Sequence, residues 1–316
     1  MARPLLANLA PTITAISVPN TGVSNGGTLT VGNPKLSPFY STNYDASIEW
    51  YFAKGGLFSV AAFDKEISSF PQTILFSAPL SRFLDADGIA ALRTQFTNAN
   101  QLAYINADYE FTARQFRDAP GGYLRGIEVS YQQDFSFLPG FLKNFGAIVN
   151  YTYIKSQLTY ILDPGTKDAA GNVIVPQSLG KAPFLNVSPQ AVNATLYYET
   201  DKFRARVSAA HRKEYSTTYP LAAGSCSPGL TNTPADPSVA GVLCNAPLVN
   251  DFIFSKATLN VDASLSYQFF DFFTVTLEGL NLTNQTSDRY SYAAQPVVSQ
   301  YASSGRIIRV GARVQF

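Results

Sequence analysis

Leu259-Asn260-Val261-Asp262-Ala263-Ser264-Leu265-Ser266-Tyr267-Gln268-Phe269 sets an apolar or aromatic side chain at every odd position and a polar one at every even position. Successive side chains of an extended chain point to opposite faces, so this stretch reads as a strand with one apolar and one polar face. The same period recurs where Tyr44, Ala46, Ile48, Trp50 and Phe52 oppose Asp45, Ser47 and Glu49, and where Ile127, Val129 and Tyr131 oppose Gly126, Glu128, Ser130 and Gln132. Phe203, Ala205, Val207 and Ala209 oppose Arg204, Arg206 and Ser208, and the chain ends with Ile308, Val310, Ala312, Val314 and Phe316 against Arg309, Gly311, Arg313 and Gln315. These segments run to about ten residues, whereas strands of soluble sheets average about five or six. About ten tilted residues are the span of a bilayer.

The pattern predicts about nine strands, at approximately 43–52, 57–68, 122–135, 145–157, 187–199, 203–215, 257–270, 273–290 and 305–316. Short links, near Lys54-Gly55-Gly56, 136–144, Thr200-Asp201-Lys202 and Phe270-Asp271-Phe272, alternate with long ones through 69–121, 158–186, 216–256 and 291–304. Tight turns at one end and long loops at the other are the rule in outer-membrane barrels. Aromatic rings cluster at both ends: Trp50, Tyr51, Phe52, Phe135, Phe137, Phe141, Phe145, Tyr198, Phe203, Phe269, Phe270, Phe272, Phe273 and Phe316 near the short turns, and Tyr151, Tyr153, Tyr160, Tyr215, Tyr219, Tyr290, Tyr292 and Tyr301 near the long loops. Two interfacial belts account for them. The polar faces, with Glu49, Glu128, Arg204, Arg206, Arg212, Asp262, Glu278, Arg309 and Arg313, then line a wet interior, since such charges in mid-bilayer would cost several kcal/mol. The fold expected is all-β, an antiparallel meander with sequential neighbours paired throughout, forming part of a transmembrane barrel.

Composition excludes other classes. The apolar runs around Phe269–Phe273 and Ile148–Tyr153 fall short of the roughly 18 residues of a spanning helix. The 23 basic and 22 acidic residues give a net charge of +1 with no basic run interleaved with aromatics, which argues against a nucleic-acid partner. No phosphate loop, dinucleotide fingerprint, zinc-protease motif or calcium loop occurs, and His211 is the single histidine, so no enzymatic activity, cofactor or metal is implied. Asn150-Tyr151-Thr152, Asn193-Ala194-Thr195 and Asn281-Leu282-Thr283 fit the glycosylation pattern within predicted strands and read as chance matches. Asp85 to Asn98 places Ile89, Leu92 and Phe96 at helical spacing behind the capping candidates Asp85 and Asp87. The two cysteines, Cys226 and Cys244, lie in a Pro, Gly, Ser and Asn-rich loop. In an oxidising compartment they could close that loop, contributing about 3 kcal/mol to its order; in the cytosol they would be two unpaired thiols.

Gly32-Asn33-Pro34-Lys35-Leu36-Ser37-Pro38, then Tyr40-Ser41-Thr42-Asn43-Tyr44-Asp45 and Glu49-Trp50-Tyr51-Phe52, resemble a long and specific segment of TonB-dependent receptor barrels. Ala2-Arg3-Pro4 and Leu9-Ala10-Pro11 resemble the end of the preceding strand in that family; Gly126-Ile127-Glu128, Asn150-Tyr151-Thr152-Tyr153, Gly279-Leu280-Asn281-Leu282-Thr283-Asn284 and the terminal Phe316 follow in family order. The resemblance implies residues 1–42 as the end of a strand plus an extracellular loop and 43–316 as C-terminal barrel strands. It implies energised uptake of a scarce solute, whether carbohydrate, siderophore or vitamin, in the bacterial outer membrane. Its partners would be membrane lipid, an extracellular small-molecule ligand and, through an N-terminal plug region, the TonB complex. Arg309, Gly311, Val314 and Phe316 are spaced like the signal read by the barrel-assembly machinery, which captures an edge strand by strand addition. Family members carry a signal peptide, a TonB box, a plug and a closed barrel of about 22 strands; this sequence shows none of the first three, and Met1 is then readable as an internal methionine. A passive pore or adhesin built by this chain alone, and a nonfunctional truncated product, are the alternatives.

Overall fold

A computed structural model describes residues 3–18, 27–167, 172–219, 226–227, 243–244, 251–292 and 294–315. A helical turn α1 (Leu6–Leu9) and a hairpin of β1 (Ile13–Ser17) and β2 (Thr28–Val31) precede β3 (Tyr40–Ala53), β4 (Gly56–Ala78), β5 (Phe111–Asp134) and β6 (Phe145–Asp163). Short pieces β7 (Thr166–Lys167), β8 (Val173–Val175) and β9 (Ser178–Ala182) lead to β10 (Gln190–Glu199), β11 (Phe203–Arg212) and β12 (Tyr215–Thr218). Then follow β13 (Cys226–Ser227), β14 (Leu243–Cys244), β15 (Ile253–Ser255), β16 (Thr258–Phe270), β17 (Phe273–Leu280), β18 (Thr286–Ser291), β19 (Val297–Ser303) and β20 (Ile307–Val314). Among the described residues, nine strands form the expected antiparallel meander, β3-β4-β5-β6-β10-β11-β16-β17-β20. The meander is not closed into a barrel.

Cross-strand register confirms the two faces. Ile48, Val60, Val129, Tyr151, Val192, His211 and Leu259 stand opposite one another from β3 to β16. Tyr198, Ala205, Leu265, Leu277 and Val310 form a similar row from β10 to β20. This apolar face is open: Ile48 and Val310 are each 77% exposed and Trp50 63%, so it requires an apolar surrounding. The rings at the short-turn end form the expected belt, with Phe145 and Tyr198 4.8 Å apart, Tyr198 and Phe203 6.0 Å, Phe203 and Tyr267 6.5 Å, and Tyr267 and Phe269 4.7 Å. In the two-residue turn between Ala53 and Gly56, Gly55 takes a φ of 71°, in the left-handed region that glycine enters without steric cost.

The long-loop end departs from the sequence reading in three ways. First, β4 and β5 stay paired well past the expected 57–68 and 122–135, from Leu57↔Gln132 to Ala78↔Phe111. Prolines and glycines such as Pro71, Pro120 and Gly121 ordinarily interrupt a strand, yet β3 ends opposite Ser69 and β6 leaves β5 at Gly122. The prolines therefore lie where their strands have one neighbour, a position that tolerates a missing N–H. A Cβ on Gly121 would stand 1.6 Å from the Ile67 carbonyl oxygen, so glycine is what allows β4 and β5 to close on each other there. Second, antiparallel pairing holds through the meander but not beyond it: β2 pairs β5 in parallel, Thr28↔Thr112 to Val31↔Gln115, along the edge that β6 vacates. Third, the strand expected over 273–290 is interrupted after Leu280, where Asn281 and Asn284 both adopt a φ of 53°, a conformation asparagine tolerates better than most residues.

The expected helix near Asp85 is α2 (Ala86–Arg93), capped by the Asp85 carboxylate accepting from Gly88 N at 2.8 Å. A second helix, α3 (Ala99–Asn106), was not expected; the Asn98 side chain caps it by accepting from Asn100 N and Gln101 N, and Tyr104 and Ile105 are buried. Together with β1, β2, β4 and β5 they enclose a core of Leu29, Ile74, Phe76, Leu80, Ile105 and Phe111.

Among the described residues β3 pairs only with β4 and β20 only with β17. In lipid each unpaired N–H or C=O costs several kcal/mol, and closing an odd number of alternating strands would force a parallel first-to-last pair. A polypeptide limited to these residues, exported behind a signal peptide, is therefore expected to give no heat-modifiable, protease-resistant species in outer-membrane fractions. Recovery of that species together with solute uptake would overturn this.

Candidate functional site

The polar face is continuous. Glu49, Ser59, Ser130, Asn150, Asn193, Ala210 and Asn260 stand opposite one another from β3 to β16, and Tyr197, Arg206, Ser264, Glu278 and Arg309 from β10 to β20. Thr195 and Ser208 hydroxyls lie 2.9 Å apart on this face, and Asp262 accepts from Asn281 N at 2.8 Å. Such a wall suits water or a polar occupant.

At the long-loop end six rings from four segments of the chain touch in sequence. Phe70 meets Tyr160 at 5.3 Å, edge on, and Tyr160 meets Tyr219 at 5.5 Å. Tyr219 stacks on Phe252 at 4.3 Å, Phe252 contacts Phe254 at 5.3 Å, and Phe254 stacks on Tyr290 at 5.2 Å. Each such contact adds about 1 kcal/mol beyond burial. The rings expected as one outer belt thus divide: Tyr151 and Tyr153 belong to apolar rows, whereas Tyr160, Tyr219 and Tyr290 form this ladder. Tyr215 instead lies under the Arg212 guanidinium, 4.2 Å from the ring centre. The ladder was hidden in the sequence because its contacts depend on the register of β12, β15 and β18.

Beside the ladder lies a cavity of about 350 Å³ lined by Tyr153, Lys155, Pro189, Glu214, Tyr215 and Phe254. Its size suits a small solute or part of one, and it offers a carboxylate, an ammonium and ring faces. Tyr290 is held to Glu214 by a hydrogen bond, and burial, reinforced by that carboxylate, pushes its phenol up to about 12. Burial likewise raises Tyr160 to about 12.

The other sequence candidates fall elsewhere. Arg309 and Gly311 lie on the polar face of β20, Val314 faces the other way opposite Phe273, and Phe316 is outside the described residues. Cys226 and Cys244 are cross-strand partners in the β13–β14 ladder. His211 stands in an apolar row at the rim, its Nδ1 3.0 Å from the Thr258 carbonyl oxygen. No group of metal-binding side chains occurs among the described residues. The Gly279–Asn284 motif is a stitched joint: Leu282 N donates to Val261 O, Thr283 Oγ1 to Leu259 O, and Asn281 Nδ2 to Gly305 O, at 2.8, 2.7 and 2.9 Å.

An open two-faced meander with one end of long, packed loops is the architecture of an outer-membrane barrel wall. The family described as TonB dependent receptor-like, beta-barrel matches residues 2–282, and the chain belongs to it. Among solved structures, the ferric enterobactin receptor PfeA of Pseudomonas aeruginosa, in complex with enterobactin, is similar at a TM-score of 0.53 and 12% identity, over 99% of this chain and 37% of that one. The siderophore receptor PirA of Acinetobacter baumannii gives 0.47 and 14% over 92% and 34%, and the outer membrane transporter YddB of Escherichia coli 0.45 and 13% over 92% and 34%. The chain thus spans about a third of the length of these structures. No curated protein matches it in sequence. Fold and family are those of transporters and receptors.

An unfolded tyrosine ionises near about pH 10. The folded Tyr160 and Tyr290 keep their protons up to about 12, so the stability they lend the loops is full below pH 10 and is lost as pH rises toward 12. In an alkaline titration followed by tyrosinate absorbance, these phenols are expected to ionise late, well above the ordinary value, together with loss of protease resistance in the loops. Full ionisation near the ordinary value with the loops intact would contradict the ladder.

Proposed function

We propose that this chain forms the C-terminal wall of an outer-membrane receptor that takes up a scarce solute with energy delivered by the TonB complex. The observation that carries the reading is the pairing of an exposed apolar face with a continuous polar face across the whole meander, capped at one end only by packed loops and a solute-sized cavity. The apolar face meets lipid, the polar face lines the lumen, and the loops lie outside the cell. The barrel-assembly machinery reads Arg309, Gly311, Val314 and Phe316 on the last strand, and TonB acts through a plug seated against the lumenal wall. The solute meets the cavity first, with Phe254 and Tyr215 as ring surfaces and Glu214 as acceptor. The siderophore receptors among its structural neighbours make ferric siderophores a first choice of probe, with oligosaccharides and vitamins beside them.

In cells producing the receptor, Phe254→Ala and Glu214→Gln are expected to leave the outer-membrane level unchanged and to lower growth on the productive member of a panel of ferric siderophores, oligosaccharides and vitamins. Removing the TonB complex should abolish that growth. Growth on every panel member that is indifferent to the complex would sink energised uptake.

Cys226 and Cys244 are proposed to form a disulfide in the exported receptor. Cross-strand partners have Cα atoms about 4.5 to 5.5 Å apart, within the range a disulfide spans, and the two backbones are such partners. Protein recovered from outer membranes is expected to show no reactive thiol until it is reduced; two reactive thiols in unreduced protein would refute the bridge.

A further inference from the structure

At the end of the polar face opposite the loops, Lys202, Arg204 and Arg313 line one cavity of about 190 Å³, which the uptake reading leaves without a role. Register sets its floor. Arg204 stands opposite Ser266 on β16, Gln268 opposite Thr274 on β17, and Thr274 opposite Arg313 on β20. Lys202, in the turn before β11, is tied to the same place, its carbonyl oxygen accepting from Gln268 N at 2.8 Å. The backbones of β11 and β20 are thus three strand spacings apart, about 14 Å. Ser266, Gln268 and Thr274 line the cavity between the cations of the two sides. Long cationic side chains flanking short hydroxyl and amide groups make a clamp with donors along its floor.

The positive charge here is not used up by the protein. Arg204 Nε donates to Oε1 of its cross-strand partner Glu199 at 2.9 Å, whereas Lys202 and Arg313 make no ion pair among the described residues. Asp201 and Asp271 also line the cavity, but from the two turns at its rim, and neither pairs with a cation among the described residues. Cations gathered round one space repel one another until an anion joins them. Guanidiniums supply the paired N–H donors that match the oxygens of phosphate or carboxylate. Pockets that enclose a whole small molecule run from roughly 300 to 1,000 Å³; this cavity is smaller and takes a single charged group.

We propose that Lys202, Arg204 and Arg313 hold an anionic oxygen group, phosphate or carboxylate, over Ser266, Gln268 and Thr274 at the short-turn end of the polar face. The group comes either from free phosphate or from an anionic portion of the transported solute, and the site stands whether or not uptake depends on TonB.

The test uses protein purified from outer membranes, with inorganic phosphate as the probe and sodium chloride at matched ionic strength as control. Phosphate is expected to raise Tm over chloride and to saturate, where general salting-out keeps rising with concentration. Arg313→Gln and Lys202→Gln should each weaken the half-saturating concentration about tenfold, the effect of one charge-assisted contact. Arg313→Lys, which keeps the charge and loses the fork, should weaken it less. Asp271→Asn, which removes a like charge from the rim, should strengthen it. If Arg313→Gln fails to assemble, Lys202→Gln decides, being in an exposed turn. An equal response to chloride, a rise that does not saturate, phosphate binding unchanged by Lys202→Gln, or binding weakened by Asp271→Asn overturns the proposal. Source is separated by uptake: where the solute supplies the anion, phosphate competes with uptake and Lys202→Gln slows it. Where free phosphate is the ligand, uptake is unchanged while the saturable Tm shift remains.

Discussion

In lipid no water is available to satisfy a backbone N–H or C=O, and the rest of the structure follows from that constraint. Every spanning segment has to give its main-chain groups to its neighbours in unbroken register. β10 and β11 pair from Ala191↔Arg212 to Glu199↔Arg204 without a shift, as do β11 and β16 from Phe203↔Tyr267 to Arg212↔Thr258. Irregularities of the meander gather at strand ends: Tyr40/Ser41 and Trp50/Ala53 in β3, and Gln268/Phe270 in β16. Unbroken register in turn makes the period of two hold across strands, so a single apolar or polar choice propagates into a row around the wall.

Beyond the span water returns, and the chain uses other means. β11, β16, β17 and β20 are interrupted and resume as β12, β15, β18 and β19, with the same strand order in a separate sheet. At the joint after β17, side chains of Asn281, Thr283 and Gln285 take over hydrogen bonds that ladder partners would otherwise make. On the other side of the wall, β4 and β5 continue as a hairpin and recruit β2, α2 and α3 to bury their tips. This part is held together as a soluble domain is, by apolar side chains away from water.

The boundary between these regimes is also the boundary of what the sequence discloses. Alternation from Leu259 to Phe269 fixes a strand, its faces and its neighbours' spacing because only a membrane wall needs that regularity for so long. The extension of β4 past Ser69 was illegible because Pro71 and Gly121 carry the same local signal in an edge position as in a turn; only the knowledge that β3 and β6 have departed distinguishes them. The Asp85 cap announced α2, while α3, capped by Asn98, went unread although Leu102 and Ile105 have the same spacing as Ile89 and Leu92. The candidate site was hidden for the same reason. Phe252 and Phe254 carry no signal of their own in the sequence; the pairing of Ser216 with Phe254 and of Phe254 with Tyr290 is what aligns them.

The ladder bears on binding as well as on stability. Within the wall, hairpins are joined by main-chain hydrogen bonds; at the loop end they would be independent were it not for side chains that cross between them. Phe70, Tyr160, Tyr219, Phe252, Phe254 and Tyr290 come from four segments far apart in sequence, and each ring touches the next. A loop so connected cannot reorganise without breaking a contact to its neighbour, which makes the cavity wall preformed. Preformed walls lose little conformational entropy when a solute enters. If the cavity takes a solute as proposed, affinity is gained by that route without added contacts, so rings buried among themselves would help set how tightly the cavity binds.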